Sequence, residues 1–220
     1  MINTTQVYQR ELSSPFILKV FGLIGYAMGV SALAVFFAPQ ILSSMPFLGN
    51  PIISLILLIG IIFSGKFWMT KEPLNLVIFS LLAGLLGVAI APLIGMAIAI
   101  NPMLIMKAFI ATSCLSFAAG IYGATTKKDM SGMGGFLMMA VIGLIIVGIL
   151  NMIWPSSMVS MMISGVGVVL FSIFIAYDIN TLKYYPENMA VAAAIGLYLS
   201  IFNLFQSILS LLTQLNNNNN

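Results

Sequence analysis

The sequence predicts an all-α membrane protein in which seven transmembrane helices carry nearly the whole chain. Hydrophobic residues make up 61% of the 220 residues and charged residues only 6%, whereas an ordinary soluble domain is roughly 25% charged. Mean hydropathy is +1.13. Long apolar runs recur along the chain, each reaching or nearly reaching the about 20 residues that a helix needs to span ~30 Å of hydrocarbon. Seven such helices use about 160–180 residues, so no soluble catalytic domain fits in the remainder.

Residues 1–15 are mostly polar and read as a short cytoplasmic tail. Seven apolar segments follow, at 16–38, 51–69, 74–100, 103–123, 133–154, 158–177 and 189–213. The third contains Pro92, which predicts a kink, tilt or break, because proline removes a backbone donor. In the first, Ala32-Leu33-Ala34 has the look of a signal cleavage site. Its apolar run is longer than a typical signal core, so it reads as a retained helix. Residues 214–220 form a low-complexity, Asn-rich tail.

Orientation follows from the basic residues, which collect on the cytoplasmic side of bacterial membranes. Arg10 and Lys19 flank the start, Lys66 and Lys71 the second connection, Lys127 and Lys128 the fourth and Lys183 the sixth. The other connections carry none, and Lys107 lies just inside the fourth segment, where its long stem can snorkel. A cytoplasmic N-terminus and an external C-terminus are expected. The net charge of +3 is thereby explained by topology, and no nucleic-acid partner is implied.

Chemistry is constrained by what the spans contain. There is no His, and the single Cys114 lies in an apolar run, so neither an imidazole relay nor a thiolate metal site is expected. No metal or cofactor is implied, and Asp178 has no second acid in any apolar span. Paired-carboxylate catalysis is not supported, and the chain reads as a non-enzyme. Glycines, including the Gly25-x-x-x-Gly29 pair and Gly87, predict close helix packing. Along the last segment Gly196, Ser200, Asn203, Ser207, Ser210 and Gln214 recur at alternating spacings of four and three, which is one stripe of a helix. That stripe should face protein or a water-filled cavity, serving either as interhelical hydrogen bonding or as the lining of an ion or proton path. Gln206, off the stripe, suggests protein on a second side. Asp178 ends the sixth segment, where a carboxylate opposes the helix dipole, and is a candidate pH sensor. In the loop Thr125–Ser131, Asp129 and Ser131 can cap the next helix.

Several pieces together, over about residues 80–213, resemble the Bax inhibitor-1 (transmembrane Bax inhibitor motif) family. They are Gly87-Val-Ala-Ile-Ala-Pro92, Asn101-Pro102, Ala108 and Thr112, Thr125-Thr126-Lys127-Lys128-Asp129-Met130-Ser131 with Gly134-Gly135, Tyr177-Asp178, and Leu197-Tyr198-Leu199-Ser200-Ile201-Phe202-Asn203-Leu204-Phe205. The resemblance implies a seventh helix surrounded by the other six. The lysine loop and the last run look most like the YccA branch, bacterial inner-membrane partners and modulators of the FtsH membrane protease. Other members are described as pH-sensitive calcium leak channels with two facing aspartates. The first of these maps onto Asp178, but the second maps onto Ser200, as it does in the YccA branch. A Ser cannot share a proton with a carboxylate, so pH gating of the two-acid kind is not implied. The lipid bilayer and an FtsH-type protease are the expected partners, with calcium ions the alternative.

Overall fold

A computed structural model describes residues 14–217, and all the regular structure among them is helical. The helices are α1 (Ser14–Phe36), α2 (Ala38–Ser44), α3 (Pro51–Phe63), α4 (Leu74–Ile100), α5 (Met103–Thr125), α6 (Gly134–Ile153), α7 (Ser157–Thr181) and α8 (Ala190–Asn217). Six are long and apolar enough to cross a membrane. The chain is therefore a multi-pass integral membrane protein.

The segment expected at 51–69 departs from a full-length span. It folds as the 13-residue α3 followed by a 3-10 turn at Ser64–Phe67. Its start is fixed by Asn50, whose side chain accepts from the N–H groups of Ile52 and Ile53 ahead of Pro51, a pairing of N-cap and first-turn proline. Its end coincides with Gly65, where Met69 folds back so closely that a Cβ would collide with it. The first segment ends at Phe36, and Pro39 sits in the first turn of the separate helix α2.

Pro92 does not interrupt α4, which runs unbroken through it. The proline faces outward, so its ring displaces no packed neighbour. Of the Asn-rich tail, residues 214–217 continue α8, because the helix is still held on one side there by Gln214 bonding Ser164 and Ser210. Residues 1–13 of the expected N-terminal tail, Arg10 included, and 218–220 lie outside the described residues.

Side-chain bonds give the register. Lys19 pairs with Glu72 at 3.3 Å, Tyr26 with Ser80 at 2.8 Å, and Ser31 Oγ donates to the Ala83 carbonyl at 2.9 Å. The offset between partners stays almost constant along both helices, so α1 and α4 run parallel. They touch at Gly87, where a Cβ would strike the Ser31 carbonyl. Between α7 and α8 the partners instead converge in number, Asp178 with Ser200 and Ser164 with Ser210; these two are antiparallel.

Helix α8 contributes the longest list of buried residues, and its Tyr198 is 0% exposed. Its main neighbours are α7, α1, α5 and α4, whereas α3 and α6 attach chiefly to α4 and α7. The resemblance implied six neighbours; the short α3 and the lean of α6 onto α7 leave four principal ones. Large apolar side chains such as Phe63, Phe117, Met139 and Val169 point outward, as expected where the outer solvent is lipid.

Candidate functional site

The polar stripe of α8 lies along α7. Ser200 Oγ donates to Asp178 Oδ2 at 2.5 Å and also reaches the Gly196 carbonyl at 3.1 Å. One helical turn away, Gly196 leaves room for the other carboxylate oxygen: a Cβ there would come 3.4 Å from Asp178 Oδ1. Farther along, Ser207 packs on Gly167 so tightly that a Cβ at 167 would collide with its hydroxyl. At the far end Ser164 donates to Ser210 at 2.9 Å, and Gln214 Nε2 donates to Ser164 at 3.1 Å. The seam is a ladder of small and hydroxylic side chains that lets two backbones approach while pairing its hydroxyls; the Gln214 Oε1 at its far end is buried without a partner among the described residues.

Two members of the expected set behave differently. Asn203 donates to the Leu199 carbonyl of its own helix at 2.8 Å, and Gln206 is exposed rather than held by a second wall of protein. Asn203 lies on the stripe yet turns its amide back along its own helix, and Gln206 lies off the stripe on an exposed face. Gly25 and Gly29, expected at a helix interface, are exposed with nothing within 4 Å of where a Cβ would sit. They are correctly spaced but on the outward face of α1. Gly87, by contrast, is buried against α1.

The sequence did not single out the groups that fix the lysine-bearing end of this seam. Asn180, two residues beyond Asp178, donates to the carbonyls of Gly123 at 3.1 Å and Lys128 at 3.3 Å and accepts from the Met130 N–H at 3.0 Å. It ties the end of α5 and the Lys127–Lys128 loop to α7. Gly123 makes this possible, since a Cβ there would meet the Ala176 backbone. Inside the same loop Asp129 accepts from Ser131 N–H at 2.9 Å, and that bond holds its carboxyl below the usual 3.8. On the opposite face of α8, Tyr198 meets Ser31 at 2.6 Å and packs edge-on to Phe79. An Asn just past an Asp, and a Tyr inside an apolar run, were the available signals for these clamps.

A family model described as "Inhibitor of apoptosis-promoting Bax1" matches residues 13–218. The chain belongs to the Bax inhibitor-1 family. Its relatives within reach of sequence comparison include an "Uncharacterized membrane protein" of Vibrio cholerae, 30% identical over 99% of this chain and 98% of that protein. A Streptococcus pyogenes serotype M3 membrane protein is 32% identical over 88% of this chain and 90% of its own length. A Campylobacter jejuni protein is 31% identical, covering 88% and 81%. In this Bax inhibitor-1 family member, Asp178 and Ser200 face each other across α7 and α8 as carboxylate and hydroxyl. Calcium takes about 6–8 oxygen ligands, far more than this pair supplies. Among the described residues no three His, Cys, Asp or Glu side chains converge.

Proposed function

We propose that this protein is a non-enzymatic regulator of the bacterial inner membrane that partners and restrains an FtsH-type membrane protease, as in the YccA branch of the family. The observation that carries the reading is the Ser200–Asp178 bond. A hydroxyl stands where the channel-like members bring a second acid, and the polar stripe is engaged in α7–α8 bonding. A seam occupied in this way suits a rigid scaffold better than an ion lining. The test is co-purification from native membranes together with protease substrate half-life. Recovery of the protease and slower substrate turnover on overexpression are expected; no recovery and unchanged turnover would remove the reading.

The topology that goes with it is seven crossings around an axial α8, with the N-terminus cytoplasmic and the C-terminus outside. It is supported by the parallel pairing of α1 and α4, which requires the intervening chain to return across the membrane. Only Pro51–Phe67 offers an apolar helix there. Its α-helical and 3-10 parts rise about 28 Å, close to the ~30 Å hydrocarbon core.

A second reading, a calcium or proton leak, is favoured by one observation: Asp178 is a carboxylate within a span and is only partly buried. Intramembrane acids of this kind mark ion or proton pathways. Purified protein in liposomes would show flux that Asp178→Asn abolishes; flux that is absent, or unchanged in that variant across a pH series, counts against it.

A further inference from the structure

At the lysine-bearing end of the bundle, α1, α5 and α7 part to leave a lateral crevice of ≈ 650 Å³, floored by Leu197 of α8. This volume falls within the range of about 300–1,000 Å³ typical of ligand sites. The walls are mostly apolar, with Phe21 from α1, Phe117 and Ile121 from α5 and Ile175 and Ile179 from α7, interrupted on α5 by Ser113 and Ser116. The lining on α5 extends from Ser113 to Thr126, a rise of about 20 Å. The crevice thus covers the depth of one leaflet's hydrocarbon, roughly half of the ~30 Å core. Gly120 lies in the wall with nothing within 4 Å of where a Cβ would sit.

The mouth differs from the walls. Lys183 lines it beside Thr126, and its ammonium sits 5.2 Å from the Tyr184 ring centroid. The ion pair of Lys19 with Glu72, among the described residues, does not involve Lys183. Asp129 acts on it only at longer range and is itself bonded to Ser131. Lys127 and Lys128 are exposed in the adjoining loop, and that loop is held in place by the bonds of Asn180 to Lys128 and Met130. A leaflet-deep apolar slot therefore ends at Lys183, with two further lysines in the adjoining loop.

We propose that this crevice binds a phospholipid with an anionic headgroup, its acyl chain lying along Phe117 and Ile175 and its phosphate paired with Lys183. Any lipid would wet the apolar walls; the cationic mouth selects the negative headgroup. The site is independent of the protease partnership and of Asp178.

Native mass spectrometry of the purified full-length protein, titrated with phosphatidylglycerol and with phosphatidylcholine of the same acyl chains, tests it. The wild type should retain phosphatidylglycerol with an apparent Kd about fivefold lower than phosphatidylcholine, the factor that one lysine near a headgroup supplies. Lys183→Gln should erase that preference, weakening phosphatidylglycerol more than phosphatidylcholine, whose quaternary ammonium already offsets the same phosphate. Gly120→Leu, filling the slot, should weaken both lipids; Ile121→Trp serves the same purpose if the leucine variant does not fold. Equal retention of the two lipids by the wild type, a preference surviving Lys183→Gln, or binding indifferent to a filled slot would each overturn the proposal.

Discussion

Ser200 and Asn180 show how much a single polar side chain in a membrane depends on what it meets. Ser200 donates to Asp178, and hydrogen bonds between helices in a membrane contribute about 0.6–1.7 kcal/mol. Ser200→Ala should therefore lower stability by about that amount, read as the unfolding midpoint in detergent. Asn180 holds two carbonyls and an N–H from other segments, so Asn180→Ala leaves buried groups unpaired and should cost about 2–4 kcal/mol. Asn203 bonds only its own helix, and its Ala variant should stay within about 1 kcal/mol by the same assay. Asp129 supplies the pH dependence. Its folded pKa is lowered from 3.8 by the Ser131 N–H, so its contribution is present above the unfolded value and is lost as pH falls through the folded one. Acid unfolding of Asp129→Asn should lack that component. At this scale the sequence made Asp178 legible as the carboxylate ending an apolar run, and Ser200 as a member of the evenly spaced stripe of the last segment. Asn180 was not legible, because an Asn beside a helix end looks the same whether it caps, faces water or bridges three segments.

Glycine spacing is the lesson at the scale of the helix. Gly25 and Gly29 have the four-residue interval of a packing motif and are exposed; Gly87, with Ala83 and Ala91 at the same interval, is buried against Ser31. Periodicity fixes which residues share a face but not whether that face meets a neighbour. The two sites should respond oppositely to the same change. Gly87→Ala drives a methyl into the Ser31 carbonyl and should destabilise by about 1–3 kcal/mol. Gly29→Ala meets open space and should be neutral or stabilising by up to about 1 kcal/mol, since Ala relieves the helix-interior cost of Gly. Thermal unfolding of the two variants side by side decides it. The α8 stripe was readable because alternating steps of four and three make a continuous polar line; that the line lies on α7 came from Gly167 and Ser164, unremarkable by themselves in the sequence.

For the whole molecule the open quantity is the path between α1 and α4. With Cys114 replaced by Ser, single cysteines at Glu72, Lys127 and Lys183 should react with an impermeant thiol reagent only from the cytoplasmic side. Cysteines at Gly49, Asn101 and Trp154 should react only from the outside. Labelling of the 49 and 72 positions from one side would mean that α3 does not cross, and would reverse the side assigned to the C-terminus.

Hydrophobicity is a property of composition, and the number of residues needed to cross a bilayer is set by helix rise. For that reason the membrane setting, the all-helical class, most segment limits and the clustering of lysines were determined by the sequence alone. Which faces touch was decided only in three dimensions. In a bilayer most helix faces are apolar whether they meet lipid or protein, so outside the polar stripe of α8 the pattern that marks a buried face in water is largely erased, and close approach is chosen by shape and hydrogen bonding between distant segments. The seam of Asp178 and Ser200, the Asn180 clamp, the outward Gly25 and Gly29 and the lysine-mouthed crevice all belong to that second class.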